Sequence, residues 1–420
     1  MDIRMLFPLF FTPIVSFVFY YPLVMSIVWI LAGTLFYIRR ERQPTDKTFE
    51  NYPMITILVP SYNEEDSIAD TLHELQGLEY PNYEIIVIND GSMDRSLHHM
   101  RVLVSMYENV RVISLRENHG KANALKIGVL ASRGEFLVAL DADSVLEHDA
   151  LHYLVAHFIR PGGERVGAVT GNPRVRNRSS LLAKVQLVEY SSIIGLIKRA
   201  QRILGKIMTV SGVIVAFRKR ALIDCGLWDV DLITDDIGVS WKLQRRFWDI
   251  RYEPNALCWM LVPETLGGLW KQRVRWAQGG IEVLMRHWRI LFDWRHRRLT
   301  PILIEQLVSI TWSVCWLATT LLLVGQMIVT RNYYVPIFWT GTYLAVVSLV
   351  QVLVALLLDH QYERGLLKYF LWSIWYPSIY WYVNSLVVIG AIPKAVSHMR
   401  AVKNGQKYAV WDSPDRGISS

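Results

Sequence analysis

Cysteine is scarce: 420 residues contain three, Cys225, Cys258 and Cys315, far apart and without a C-x-x-C pair. That spacing argues against a disulfide framework or a thiolate zinc site, and points to a reducing compartment for the functional region. G-x-G-x-x-G and G-x-x-x-x-G-K-[ST] are both absent, so neither a dinucleotide enzyme nor a P-loop ATPase is supported. The histidines, including the pair His98 and His99, show no helical metal-ligand spacing with acids and read as structural. Charge is missing from Leu6 to Ile38, from Val335 to Leu358 and from Tyr369 to Pro393, and Pro301 to Thr330 carries only Glu305. Each stretch exceeds the ~20 residues that cross a hydrocarbon core.

What is present is apolar, aromatic and basic. The chain is 52% hydrophobic, with 16 Trp, 20 Tyr and a net charge of +8. Its basic residues crowd beside the apolar stretches, which fits the cytoplasmic flanks of a membrane protein and not a nucleic-acid partner. The first stretch lacks a basic start and a small-residue cleavage site before "RRER", so it reads as an anchor, not a cleaved signal. One firm span is expected over about Phe17 to Ile38, preceded by a shorter segment. Arg39, Arg40 and Arg42 then place the central region in the cytoplasm. At the other end, three simple crossings would leave Arg400, Lys403 and Lys407 outside; a re-entrant "YFLWSIWYPSIYWYV" would bring them back. Both topologies are open at this level. The expected organisation is a membrane segment over 1–40, a catalytic domain over 51–261, amphipathic interfacial helices over 262–300, spans over 301–398 and a tail over 399–420.

The middle of the chain alternates short apolar runs ("MITILVP", "YEIIVIND", "VRVISL", "EFLVAL") with amphipathic stretches of helical length. That pattern predicts an α/β domain with a mostly parallel sheet covered on both faces. Ligands of such sheets bind outside the carboxyl ends of the strands. Three runs end there in polar groups: "VPSYNEE", "INDGS" and "LDADS". Taken singly, each has a plain structural reading. Asn89, Asp90 and Gly91 form a turn signal, and Tyr62, Asn63 and Glu64 lead into a helix N-terminus, where acids are favoured anyway. Lys121 in "HGKANAL" reads as a solvated helix start or as a phosphate partner. Asp141 and Asp143 read as a solvated turn or, in an oxygen-rich setting without histidine, as partners of a hard cation, Mg2+ or Mn2+. Such an ion would neutralise a departing diphosphate.

Downstream, Thr234, Asp235 and Asp236 precede an amphipathic helix, as a cap with acids in the first turn or as the home of a general base. In "LWKQRVRWAQGG", Gln272, Arg273, Arg275 and Trp276 set planar donors beside an indole, able to clamp a pyrophosphate and carry a sugar ring. An interfacial helix with snorkelling cations accounts for the same residues, and the two readings are compatible.

Asp90 in "NDGS", the "DAD" of Asp141 and Asp143, the "TDD" at 234–236 and "QRVRW" at 272–276 resemble, in that order, the signature of processive family 2 glycosyltransferases. The resemblance implies a GT-A catalytic domain embedded between transmembrane helices, a UDP-sugar donor and inversion in a single displacement. "VSGVIVAFRKRAL", "PETLGGLWKQRVRWAQGG" and "WDSPDRGI" are similar to the bacterial poly-β-1,6-N-acetyl-D-glucosamine synthases of that family, which usually write T-E-D where this chain has Asp235. Carried over by position, Pro60, Tyr62, Glu64 and Asp90 would line the uridine pocket. Lys121 and Asp141 would meet the nucleotide, Asp143 would ligate the metal, and Asp236 would take the proton from the acceptor hydroxyl. Asp235, Gln272, Arg273, Arg275 and Trp276 would hold the diphosphate and acceptor end, with Ser211 and Gly212 along the acceptor side. The same resemblance implies UDP-GlcNAc as donor, a growing polysaccharide acceptor and surrounding membrane lipid in a bacterial inner membrane. It further implies export through the spans, a small two-span membrane subunit and activation by cyclic di-GMP. A chitin- or hyaluronan-type synthase and a nucleotide-gated membrane sensor or transporter are the alternatives.

Overall fold

The computed structural model describes residues 3–42, 46–331 and 336–409. Helix α1 (Ile3–Phe36) runs unbroken through the first apolar stretch and ends in a π-helical turn, Tyr37–Glu41. The shorter preceding segment expected from the sequence is therefore part of the same helix. At about 1.5 Å per residue it is about 51 Å long, well beyond a hydrocarbon core of about 30 Å.

The apolar runs of the middle form strands β1 (Ile55–Ser61), β2 (Tyr83–Asp90), β3 (Val110–Leu115) and β4 (Phe136–Leu140), parallel and ordered β3-β2-β1-β4. Strands β1, β2 and β4 are largely apolar because both faces are covered. Within the sheet, polar Thr56 and Glu84 bond each other, and Glu84 also pairs with Arg111 of β3. Ile55, Ile57, Val59, Ile85 and Val87 enter one core, and Leu58, Ile86 and Ile88 enter the other. The first core is closed by α2 (Ile68–Glu74), α3 (Ser96–Met106) and α5 (Ala150–Ile159), the second by α4 (Lys121–Ala131). After β3 the chain crosses back over β1 to β4, so the strand order reverses between β1 and β4 and a crevice opens outside their carboxyl ends.

Strands β5 (Val145–Leu146), β6 (Val166–Val175), β7 (Ile214–Arg218) and β8 (Asp249–Met260) extend the sheet in the order β4-β7-β6-β8-β5. Strand β7 runs antiparallel to β4, with Leu140 opposite Ile214. That register carries Ser211 and Gly212, just before β7, to the place where the chain leaves β4 at Asp141. Between these strands lie α6 (Leu181–Glu189), a π-helical turn Tyr190–Gly195, α7 (Leu196–Leu204), α8 (Lys219–Asp224) and α9 (Asp235–Arg245).

Helix α10 (Leu266–His287) lies between the catalytic domain and the membrane helices α11 (Thr300–Thr330), α12 (Pro336–Asp359) and α13 (Tyr376–Lys403). It is more than an interfacial helix: Val274 and Ile281 pack on Val387, Ala391 and Ala395 of α13, and Val283 on Trp241 of α9. Four helices are long and apolar enough to cross a membrane, over Pro13–Glu41, Thr300–Val329, Thr342–Asp359 and Ile379–Lys403. The ends of α12 and α13 both meet the catalytic domain. Asp359, at the end of α12, pairs with Arg174 and Arg199 of the catalytic domain at 2.9 and 2.7 Å. The end of α13 returns to the same domain: Met399 joins Leu232 and Trp241, His398 bonds Glu282 at 2.8 Å, and the Ala409 N–H donates to Val230 O at 2.8 Å. The segment from Asp359 to Lys403 thus begins and ends beside the catalytic domain. It turns through two short 3-10 segments, Leu366–Tyr369 and Leu371–Ser373, before α13, whose Trp381 meets Trp312 of α11 at 5.1 Å. As far as Ala409, the chain after α13 lies with the catalytic domain.

Candidate active site

Every polar strand end singled out in the sequence lies on the crevice edge. In the NDG turn, Gly91 adopts φ +73°, and a Cβ there would fall 2.7 Å from the backbone carbon of Glu117, so the turn needs glycine. The turn also positions chemistry. Buried Asp90 accepts from the amides of His119 (3.1 Å) and Gly120 (2.8 Å), fixing the loop that leads into α4. Burial pushes its carboxyl up, and those two amides pull back down. Pro60 is buried at the end of β1, Tyr62 is half-buried beyond it, and buried Glu64 accepts from Ser67 Oγ at 2.9 Å while its own amide donates to Ser96 Oγ at 2.8 Å.

Lys121 joins three parts of the fold. Its ammonium donates to Asp141 Oδ1 at 2.5 Å and to the carbonyl of Gly212 at 3.1 Å. Burial alone would lower its pKa, but Asp141, Asp235 and Asp236 outweigh that and hold it charged. Gly212 separates this lysine from Asp236, since a Cβ on it would sit 3.5 Å from Lys121 Nζ and 3.6 Å from Asp236 Oδ2. At the start of α9, Asp236 Oδ1 accepts from the Ile237 amide at 2.9 Å, leaving Oδ2 on the Gly212 side. Burial, then the charge of Asp235, raises its carboxyl to about 6, against the pull of Lys121 and Lys198. A carboxylate so raised is the better proton acceptor near neutral pH.

Lys198, absent from the sequence reading, belongs to the same cluster. The residue is 5% exposed, and its ammonium bonds Ser211 Oγ and reaches Thr170 Oγ1 at 3.3 Å. Burial pulls it down to about 7, with Asp236 opposing. The Ser211 amide donates to the same Thr170 hydroxyl at 2.8 Å, so α7, β6 and the Ser211–Gly212 turn lock together beside Asp236. "LIKRAQRI" reads locally as a basic helix face, and nothing in it announces burial.

The two downstream motifs meet because Gly279 of α10 packs on Thr234, the residue before α9, where a Cβ would overlap the threonine side chain. Within α10, Gln272 is 8% exposed and its Oε1 has no hydrogen-bond partner among the described residues, an acceptor that a ligand donor would satisfy. Arg273 pairs with Glu189 at 2.8 Å and lies over the Trp276 ring at 4.5 Å. Arg275 and Trp276 are half-buried on the same helix, and Trp276 meets Tyr190 edge-on at 6.5 Å.

A divalent ion fits as one completed by its ligand. Asp141 and Asp143 supply two carboxylates at the crevice, Asp143 is 5% exposed, and among the described residues no third His, Cys, Asp or Glu completes a protein-only ligand set. A hard ion held by one or two carboxylates plus phosphate oxygens and water suits that donor set.

Known proteins resemble this chain in sequence and in fold. Residues 53–279 match the model of the glycosyltransferase-like family 2. A poly-β-1,6-N-acetyl-D-glucosamine synthase of Staphylococcus epidermidis is 42% identical over 417 residues, spanning 96% of this chain and 98% of its own. The synthase of that name from Staphylococcus aureus (strain MSSA476) is 42% identical over 418 residues, with the same coverage. Among solved structures, a mannosyltransferase of Pyrobaculum calidifontis in complex with GDP-Man and Mn2+ aligns with a TM-score of 0.61 at 20% identity, over 90% of this chain and 99% of that one. That likeness shows the fold, a GT-A-type domain joined to membrane helices.

Proposed function

The chain belongs to the glycosyltransferase-like family 2, and on that premise we propose that it builds a β-1,6-linked poly-N-acetylglucosamine chain from UDP-GlcNAc, processively and with inversion. The observation that carries the chemistry is Asp236, raised to about 6 and facing the space beside Gly212, where an acceptor hydroxyl fits between it and Lys121. In the proposed step the acceptor O6 attacks the anomeric carbon as its proton passes to Asp236 Oδ2. The bond from that carbon to the diphosphate breaks with its electron pair, which leaves on UDP. The hydroxyl acidifies as the new bond forms, so a carboxylate is base enough.

In this reading Pro60, Tyr62, Glu64 and Asp90 hold the uridine, and Lys121 with Asp141 meets the sugar-phosphate part. Asp143 would hold Mg2+ or Mn2+, which neutralises charge on the departing diphosphate. Gln272 and Arg275 meet the diphosphate, Trp276 offers a flat face to the acceptor sugar, and Asp235 with Arg273 supports them. Ser211, held by Lys198, lines the acceptor side. The basic flank of α1 supports a cytoplasmic catalytic domain in the bacterial inner membrane, with the polymer exported for the biofilm matrix.

Linkage follows from which acceptor hydroxyl lies beside Asp236, so the test is product analysis. Purified full-length protein in lipid nanodiscs, given labelled UDP-GlcNAc, should yield polymer cut by a β-1,6-specific hexosaminidase and resistant to chitinase. A chitinase-sensitive or alternating product would replace the β-1,6 assignment with a chitin- or hyaluronan-type one.

A further inference from the structure

A cavity of about 780 Å³ lies away from the crevice, between α1, the end of α7 and the start of α11. Its inner wall is apolar: Tyr21, Met25 and Trp29 follow one face of α1 at four-residue spacing, opposite Ile304 and Val308 of α11. From Trp29 to Tyr21 the wall runs about 12 Å, the reach of a good part of an acyl chain. Its outer rim is basic, with Lys206, Arg297 and Arg298. None of these three has a carboxylate ion-pair partner among the described residues, although Arg297 lies over Trp294 at 5.3 Å. The two acids of the lining do not neutralise the rim: Asp293 is engaged by Arg295 and His296 at 3.0 Å each, and Glu305, on the apolar wall, accepts from Tyr21 at 3.4 Å. Burial, then the cations Arg202, Arg298 and Arg165, pull the Lys206 ammonium below its ordinary value, with Asp249 opposing. An anion at the rim would relieve that repulsion. Beside it, Phe292 and Trp294 are exposed, as aromatic residues are at a membrane–water interface.

We propose that this cavity binds one anionic phospholipid, its headgroup phosphate on Lys206, Arg297 and Arg298 and an acyl chain against Tyr21, Met25 and Trp29. Apolar depth beside an unneutralised basic rim is what such a lipid complements, whereas a zwitterionic headgroup brings a cation to the same place. The site is separate from the sugar-transfer crevice and stands whether or not the proposed reaction is correct.

The test uses the full-length protein in detergent, with thermal unfolding and native mass spectrometry read while phosphatidylglycerol, phosphatidylcholine or inorganic phosphate is added. Phosphatidylglycerol should stabilise the protein and remain bound as a single adduct, while the other two should do neither. At about fivefold in affinity per cation, Lys206→Gln, Arg297→Gln and Arg298→Gln together should weaken it about a hundredfold. Met25→Trp fills the apolar wall without touching charge and should also lose the adduct while folding normally. Equal binding of phosphatidylcholine, equal effect of phosphate alone, full retention in either variant, or a protein helix from another chain seated in the cavity would each overturn the assignment.

Discussion

Two consecutive residues of α7 enter two different charge clusters. Lys198 faces the crevice, with Ser211, Thr170 and, through space, Asp236. Arg199, fully buried, faces the seam with the membrane helices, donating to Glu41 at 2.6 Å and pairing with Asp359 at 2.7 Å, while Arg174 takes the other oxygen of Asp359 at 2.9 Å. Both clusters mix basic and acidic groups away from water. They differ in closure. In the seam the carboxylates of Glu41 and Asp359 both meet arginine, and Tyr362 adds a 2.7 Å bond to Glu41. The Arg199 guanidinium lies 5.7 Å from the Tyr252 ring, although Arg174 Nε and Nη2 have no hydrogen-bond partner among the described residues. In the crevice Asp236 Oδ2 lies beside a bare glycine, its other carboxylate oxygen taken by a backbone amide. A buried charge cluster that closes on itself joins elements together, and one that leaves valences directed into a cleft is prepared for a ligand.

The contrast breaks most sharply at Asp236. Asp236→Asn keeps shape and removes the base, so turnover should fall about 10²- to 10⁴-fold with UDP binding retained. Undiminished turnover with labelled UDP-GlcNAc would show that the open cluster is only structural, as a sensor or transporter would require. At the seam, Arg199→Met leaves Glu41 and Asp359 short of a partner and should cost about 3–5 kcal/mol, read as a lowered unfolding temperature in detergent. A change under about 1 kcal/mol would mean the seam is not a clamp. The smallest effect is electrostatic. Turnover should fall as pH drops through about 6, where Asp236 gains its proton. Asp235 holds that carboxyl up, so Asp235→Asn should move the acidic limb to lower pH; an unmoved limb in rate-against-pH curves would assign the titration to another group.

Helix α7 also marks how far local reasoning reaches. In "LIKRAQRI" two cations side by side read as a solvated face, yet Lys198 and Arg199 are among the most buried charges described. Their partners come from β6, from the turn before β7 and from the ends of α1 and α12, so no window of sequence contains them. Arg273 shows the same limit: its place in "QRVRW" suggests a phosphate clamp, and Glu189 of α6 takes the guanidinium instead. By contrast, the positions of Asp90, at the end of β2, and of Asp141 and Asp143, just after β4, are legible because an apolar run that defines a strand stops there.

What the sequence determined by itself was local: which runs become strands, which cross a membrane, and which polar groups end each run. Periodicity and desolvation act over a few residues, and those features need nothing more. Tertiary structure alone decided that Asp236, Lys121 and Gly212 share one space, that the end of α13 and Ala409 beyond it return to the catalytic domain, and that α7 carries one cation to each cluster. These depend on β7 lying antiparallel to β4 and on α10 packing between α9 and α13. Electrostatic and packing partners are chosen by distance in space, which chain order does not record.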